Sequence, residues 1–279
     1  MRTKLIILAG ALALATAEAA SSPEPYHAHT EARGSMDLRM QRVQLATGVE
    51  LELVQAGPED GTPVLFLHGY TDSWYSFAPV LDRLPPGVRA IVPSQRGHGD
   101  SERPSCCYAF PDLAADAVAL LDALGIPRAA VGHSMGSFVA QRVAIDYPDR
   151  VSCLVLVGSG HTYGTEAVSE FFTEVVRTLE DPVPPELIEE FQVSTTARPL
   201  PAAFLATVIA ESGKLPARVW REALRQQLDG DARAPRRACA MALADHIHED
   251  VVDDVRRHLD EEHVEAHLHE RVTLPNVSP

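Results

Sequence analysis

The chain has 279 residues, 46% of them hydrophobic, and its formal net charge is -15. This length allows one large buried core with a smaller inserted unit and does not require a second full domain. The acidic balance argues against a nucleic-acid partner, because phosphate recognition needs clustered lysine and arginine side chains.

The N-terminus has the pattern of an export signal. Arg2 and Lys4 precede an apolar run from Leu5 to Ala17, and small residues follow it. We expect residues 1–19 to be a cleaved signal peptide, which predicts a secreted or periplasmic protein with no membrane attachment after cleavage. The run is short for a membrane anchor, and an uncleaved helix associated with lipid is the alternative. Residues 20–37 are polar and predict a flexible leader.

Residues 38–160 alternate short apolar runs with segments of helical period. This pattern is typical of an α/β fold in which crossover helices join the strands of a mostly parallel sheet. Apolar residues at three- and four-residue steps between Asp112 and Gly125 predict one such helix. An antiparallel hairpin is expected around Thr47 and Gly48. The hairpin strands are predicted at Arg42–Leu45 and Glu50–Val54, and buried strands at Val64–Leu67, Val88–Val92, Ala129–Val131 and Leu154–Val157.

A Gly-His-Ser-Met-Gly sequence at residues 132–136 lies between a predicted buried strand and a predicted apolar helix, Phe138–Tyr147. In this context the GxSxG pattern predicts a nucleophile elbow, with Ser134 as the nucleophile. The serine must sit on a strained turn that exposes its hydroxyl, and flanking glycines leave room for strand and helix to approach. We expect the backbone amides of Tyr70 and Met135 to stabilise the oxyanion that its attack would form.

After Gly160 the sequence predicts only helices, punctuated by prolines. We interpret residues 161–228 as a helical cap over the carboxyl ends of the strands, where ligands bind in such sheets. The helices are predicted at Glu166–Leu179, Pro184–Phe191, Pro201–Ser212 and Pro216–Leu228. Five aromatic residues could line a pocket there, although aromatics on amphipathic helices are more often core: Phe171, Phe172, Phe191, Phe204 and Trp220.

Three motifs together resemble the α/β-hydrolase family. They are Leu67–Gly69 with Trp74, the loop Gln95–Ser101, and the elbow at residues 132–136. Over about residues 40–228, the chain is most similar to the branch of cofactor-free haloperoxidases, enol-lactonases and small esterases.

The resemblance implies a Ser-His-acid triad that acts on a small acyl substrate, without metal or organic cofactor. It also implies substrate contacts from Trp74 and His133. Family members with epoxide hydrolase or haloalkane dehalogenase activity use Asp at the elbow, so Ser134 argues against those two activities. We expect His68 to orient its loop, and His98 matches a loop residue of the family rather than its catalytic base.

The C-terminal part departs from the family pattern. The family continues after its cap with a strand that ends in the catalytic Asp and a later strand followed by a Gly-His pair, and neither is recognisable here. Residues 229–279 instead form an acidic, His-rich tail, with ten acidic residues and two arginines between Asp245 and Glu270. A charged helix or a disordered extension is the expected structure.

Two hypotheses account for this tail. In the first, the coding frame is altered or the chain truncated near Asp229, which removes the final strands and the base. In the second, a tail histidine such as His246 or His263 reaches Ser134 and Asp245 orients it, since triads occur in different chain orders. The spacing of His263 and His267 could also hold zinc or nickel, but a solvated face is the expected role.

We therefore predict a serine hydrolase that cleaves a small ester, lactone or thioester through an acyl-enzyme on Ser134. The alternative is a catalytically impaired protein of the same fold that retains only a ligand pocket. The resemblance to haloperoxidases implies a third possibility, peracid formation at the same serine. No disulfide framework is predicted, because the adjacent Cys106 and Cys107 can pair with each other only in a strained ring. The oligomeric state is left open.

Overall fold

A six-stranded sheet forms the centre of the fold in the computed structural model, which describes residues 37–129, 131–160 and 162–231. The strand order is β1-β2-β4-β3-β5-β6. The β1–β2 and β2–β4 pairs are antiparallel, and the other neighbours are parallel. The predicted α/β class with a mostly parallel sheet is therefore confirmed. The strands are β1 Arg39–Gln44, β2 Glu50–Ala56, β3 Thr62–Leu67, β4 Val88–Pro93, β5 Val131–His133 and β6 Val155–Val157.

Seven α-helices lie in the described residues, and the last four follow β6 with no strand between them. We call these four helices the cap. Short 3₁₀ helices lie at Trp74–Phe77, Pro148–Arg150 and Val176–Thr178. The α-helices are α1 Ala78–Leu81, α2 Phe110–Ala123, α3 Met135–Asp146, α4 Glu166–Glu174, α5 Pro185–Ser194, α6 Ala202–Gly213 and α7 Ala217–Asp231. Within the described part of the chain, no helix is both long and apolar enough to span a bilayer.

Local sequence signals set most of these boundaries. The predicted hairpin turns where the Gly48 amide donates to the Leu45 carbonyl at 3.0 Å, with Gly48 at φ 86. Helix α2 ends before Gly125, which adopts φ 64 as a left-handed helix terminus requires. Strand β5 differs from its prediction: the Ala129 amide bonds to the Arg150 carbonyl, and sheet pairing begins only at Val131. The sheet therefore runs directly into the elbow.

The sheet separates two apolar clusters, because successive side chains of a strand point to opposite faces. Leu65 and Leu67 of β3 belong to the larger core with α2, α3 and the cap. Phe66, between them, belongs to a smaller cluster under the 74–81 segment. Helices α2 and α3 thus cover one face, and β3 and β5 end side by side beneath the cap.

Residues 1–36 and 232–279 lie outside the described residues. The predicted signal peptide and leader fall there, except for the last residue of the leader. The same holds for almost all of the acidic tail. These assignments remain predictions.

Candidate active site

Ser134 occupies a sharp turn between β5 and α3. Its backbone adopts φ 51 and ψ -121, a conformation that costs a non-glycine residue about 1–3 kcal/mol. Hydrogen bonds at both of its backbone polar groups hold Ser134 in this conformation. The Ser134 amide donates to the Val157 carbonyl at 2.8 Å. The Ser134 carbonyl accepts from the amide and hydroxyl of Ser137 at 2.9 and 2.6 Å. This geometry is the strand–turn–helix arrangement that the GxSxG pattern predicts.

The two glycines of the motif are required by close approach. A β-carbon added at Gly132 would lie 2.3 Å from the Gly136 carbonyl oxygen. One added at Gly136 would lie 2.0 Å from the Leu67 carbonyl oxygen, at the end of β3. Both obstacles are backbone atoms, which cannot turn aside as a flexible side chain can. The elbow therefore packs directly against β3 and the loop that follows it.

We call residues 68–73, which follow β3, the oxyanion loop, after the role predicted for the Tyr70 amide. Gly69 lies at its contact with the elbow. A β-carbon at Gly69 would lie 2.8 Å from Asp72 Oδ2, 3.3 Å from Ser134 Cβ and 3.6 Å from His133 Nδ1. The loop thus brings Asp72, His133 and Ser134 together around one point. His133 is half-buried there, and the substrate contact expected of it stays a prediction.

Sequence reasoning missed Asp72. Burial raises the pKa of its carboxyl above the usual range, while His133 and a hydrogen bond from Gln192 act in the opposite direction. An acidic residue in a loop after a buried strand is a weak signal, since most such carboxylates are solvated. Only the fold shows that this half-buried carboxyl lies between the elbow and Gln192 of the cap.

Tyr70 joins the oxyanion loop to the cap. Its phenol donates to the Trp220 carbonyl at 2.7 Å, and burial raises the pKa of that phenol well above its usual range. Its ring packs edge-on against Phe191 and Trp220, with centroids 5.8 and 5.6 Å away. Phe171 stacks on Phe191 at 5.5 Å. These three cap aromatics are buried core, the alternative that sequence reasoning favoured over pocket lining.

His68 is fully buried and fixes the start of the loop. Its Nε2 accepts from the Gln95 amide at 2.8 Å, so the ring proton lies on Nδ1, which contacts the Gly69 carbonyl at 2.8 Å. Burial, followed by the charge of His98, holds the pKa of His68 well below its usual range. A neutral imidazole with both nitrogens engaged orients the loop, as expected, and does not serve as the base.

Trp74, expected to contact substrate, lies at the start of the 3₁₀ turn that follows the oxyanion loop. It is half-buried and packs against the smaller apolar cluster, on the sheet face opposite to the core that contains Met135. Its amide donates to Ser94 Oγ at 3.2 Å. Tyr75, the next residue of the 3₁₀ turn, stacks on Phe204 of α6 with ring centroids 5.4 Å apart. The substrate contact expected of Trp74 therefore stays a prediction.

The expectation of unpaired cysteines is wrong for one pair: Cys106 and Cys107 form a disulfide. Sequence spacing does not reveal that Cys107 has a left-handed backbone, at φ 75. The Cys107 carbonyl accepts from Arg96 at 2.6 Å, and Arg96 also forms a buried ion pair with Asp116 at 2.5 Å. Cys153 is free and half-buried.

The candidates for base and acid, His246, His263 and Asp245, lie outside the described residues. So does the His263–His267 pair. Among residues 37–129, 131–160 and 162–231, no group of three or more His, Cys, Asp or Glu side chains is arranged to hold a metal ion.

Comparison with known proteins identifies the family. A family model described as alpha/beta hydrolase fold matches residues 62–234, more than half of the chain. The chain belongs to the α/β-hydrolase family.

Curated relatives match parts of it. A serine hydrolase-like protein of Danio rerio is 37% identical over 130 residues, covering 46% of this chain and 40% of that protein. A non-heme chloroperoxidase of Streptomyces lividans is 35% identical over 163 residues, covering 57% and 55%. The chain thus spans less than two thirds of the length of these relatives.

The solved structure of a hydrolase from Pseudomonas aeruginosa PA01 superposes with a TM-score of 0.59 at 23% identity. The alignment covers 70% of this chain and 74% of the other. At this identity the similarity supports the fold alone.

Proposed function

We propose that this chain is a serine hydrolase that cleaves a small ester, lactone or thioester through an acyl-enzyme on Ser134. The observation that carries the proposal is the backbone of Ser134, at φ 51 and ψ -121 between β5 and α3. Strain of this kind persists only where the surrounding structure holds it, and it clusters at functional sites. The Danio rerio protein, described as serine hydrolase-like, supports the choice of nucleophile.

In the proposed reaction, Ser134 Oγ attacks the carbonyl carbon of the substrate and gives its proton to a base. The electron pair of the carbonyl bond moves to the oxygen, where the amides of Tyr70 and Met135 donate hydrogen bonds. Collapse of this intermediate breaks the bond to the leaving group, which takes up the proton. Water then attacks the acyl-enzyme, releasing the acid and restoring Ser134. The proposed base and acid are residues of the tail, with His246, His263 and Asp245 as candidates.

Two alternatives differ from this proposal at defined steps. If the tail supplies no base, the chain is an impaired family member that binds ligand and turns over poorly. If hydrogen peroxide replaces water as the second nucleophile, the product is a peracid, an option that similarity to the chloroperoxidase supports. The same serine serves in both active cases. We also propose export of the mature protein from residue 20 onward.

The test is hydrolysis of short-chain p-nitrophenyl esters by the mature protein and by Ser134→Ala. Ser169→Ala, which removes an exposed serine hydroxyl from cap helix α4, is the matched control. We expect Ser134→Ala to lose about three orders of magnitude or more in kcat, as in a working triad, and Ser169→Ala to keep its rate. Equal slow turnover by all three proteins would refute the acyl-enzyme.

Covalent labelling tests whether the Ser134 hydroxyl is activated as a nucleophile. A fluorophosphonate should label Ser134 in the wild type and not in Ser134→Ala, as measured by peptide mass. Turnover with labelling supports the full proposal, whereas neither turnover nor labelling supports the impaired alternative. A parallel assay with hydrogen peroxide and a peracid indicator determines whether water or peroxide accepts the acyl group from Ser134.

A further inference from the structure

Two cap helices place buried polar side chains on the oxyanion loop. Gln192 of α5 donates from Nε2 to Ser212 Oγ of α6 at 2.7 Å. The same nitrogen lies 3.2 Å from Thr71 Oγ1 and 3.3 Å from Asp72 Oδ1. Ser212 Oγ in turn donates to the Thr71 carbonyl at 2.9 Å. Gln192, Ser212 and Thr71 are all buried, so water does not compete for their donors and acceptors.

Thr71 needs support from outside its own segment. It adopts φ 64, and a β-branched residue is a genuine outlier in this left-handed region. Such a conformation persists only where contacts over-determine it. Here the side-chain oxygen accepts from Gln192 while the carbonyl accepts from Ser212, so both polar ends of the residue are engaged.

The position of Thr71 matters for the site because of its neighbours. Tyr70, whose amide is the proposed oxyanion donor, precedes it, and Asp72 follows it. Gly69 lies directly against Ser134, because a β-carbon added at Gly69 would lie 3.3 Å from Ser134 Cβ. Tyr70 is itself bonded to the Trp220 carbonyl of α7. Three consecutive loop residues are therefore held by three different cap helices.

We propose that Gln192 and Ser212 are positioning residues, which hold Thr71 in its left-handed conformation and thereby fix the Tyr70 amide beside Ser134. The cap is then part of the scaffold of the oxyanion hole. This inference rests on the proposed function for its effect on rate. The holding of the loop can be measured without any turnover.

The kinetic test compares Gln192→Leu and Ser212→Ala with Gln55→Leu. Gln55 is also a buried glutamine, but it lies on β2 and accepts from Arg89, away from the elbow. Complete removal of an oxyanion donor costs about a hundredfold to a thousandfold in kcat, so a displaced donor should cost about tenfold or more. We expect kcat and kcat/KM to fall together in the two cap variants, which indicates loss of a transition-state interaction. Gln55→Leu should keep its rate.

The second readout is hydrogen exchange at the amides of residues 69–73. Exchange should become faster in Gln192→Leu and Ser212→Ala and stay unchanged in Gln55→Leu. Unchanged exchange in both cap variants would overturn the inference, as would an equal rate loss in the Gln55 control. If Ser134→Ala were as active as the wild type, the proposed function would fail, and exchange would still decide whether the cap holds the loop.

A rescue experiment distinguishes positioning from general damage to packing. Glycine adopts positive φ without steric cost, so a loop with Thr71→Gly needs less support at this point. In the Gln192→Leu background, Thr71→Gly should recover part of the lost kcat. A double variant slower than Gln192→Leu alone would show that the loss comes from a disrupted core and would contradict the positioning role.

Discussion

Gly136→Ala tests the close contact between the elbow and β3. Gly136 lies in the first turn of α3, where helix propensity alone predicts that alanine stabilises by about 1 kcal/mol. The structure predicts the opposite sign. The new β-carbon would lie 2.0 Å from the Leu67 carbonyl oxygen, 2.4 Å from the Leu67 carbonyl carbon and 2.7 Å from the His68 carbonyl oxygen.

Overpacking of a core costs about 1–3 kcal/mol, and here all three obstacles are backbone atoms of a strand end and its loop. We therefore expect Gly136→Ala to lower the free energy of unfolding by about 3 kcal/mol, at the upper end of that range. Urea unfolding would show this as a lower midpoint at an unchanged slope. Gly87→Ala, at a glycine whose β-carbon would meet no atom within 4 Å, is the control. A Gly136→Ala midpoint equal to or above wild type would refute the steric argument.

Three further predictions concern pH, the buried ion pair and the loop. Burial lowers the pKa of His98 to about 4. Between pH 6.5 and 4, His98 therefore binds a proton in the unfolded chain and stays neutral in the folded protein. The free energy of unfolding should fall by about 3 kcal/mol between pH 6.5 and 4, and urea titrations should show a shallower fall in His98→Gln. Asp116→Ala leaves the buried Arg96 charge without its carboxylate partner and should lower the free energy of unfolding by about 3–5 kcal/mol. A decrease under about 1 kcal/mol would contradict this. Gly69→Ala inserts a β-carbon between loop and elbow, so kcat/KM for esters should fall about tenfold or more, while a wild-type rate would contradict the contact with Ser134.

The sheet and the elbow could be predicted because their signals are local. Alternation and turn residues mark the hairpin around Gly48, and short apolar runs mark the parallel strands. The elbow depends on five consecutive residues between a strand and a helix, so its glycines follow from the motif itself. Even here the β5 boundary was displaced, since hydrogen bonding to β3 and β6 decides where so short a strand begins.

The contacts of the cap with the oxyanion loop could not be predicted in this way. Gln192 and Thr71 are 121 residues apart, and neither belongs to a recognisable pattern. The left-handed backbone of Thr71 is equally hidden, because sequence rules reserve that region for glycine and asparagine. Trp74 is a different case: the family motif gives it a role, and the structure shows only its packing against the smaller apolar cluster.

The two functional hypotheses share one geometry and differ in one component. The Ser134 amide is held by the Val157 carbonyl of β6, and Gly69 of the oxyanion loop packs against Ser134. Both contacts lie inside the described residues, whereas the candidates for the base lie in the tail. Loss of the base would therefore leave the elbow and its contact with the oxyanion loop formed but lower the nucleophilicity of the serine hydroxyl, since an isolated hydroxyl is a weak nucleophile. It follows that ligand binding cannot separate the hypotheses, whereas the ratio of ester turnover in wild type to that in Ser134→Ala does.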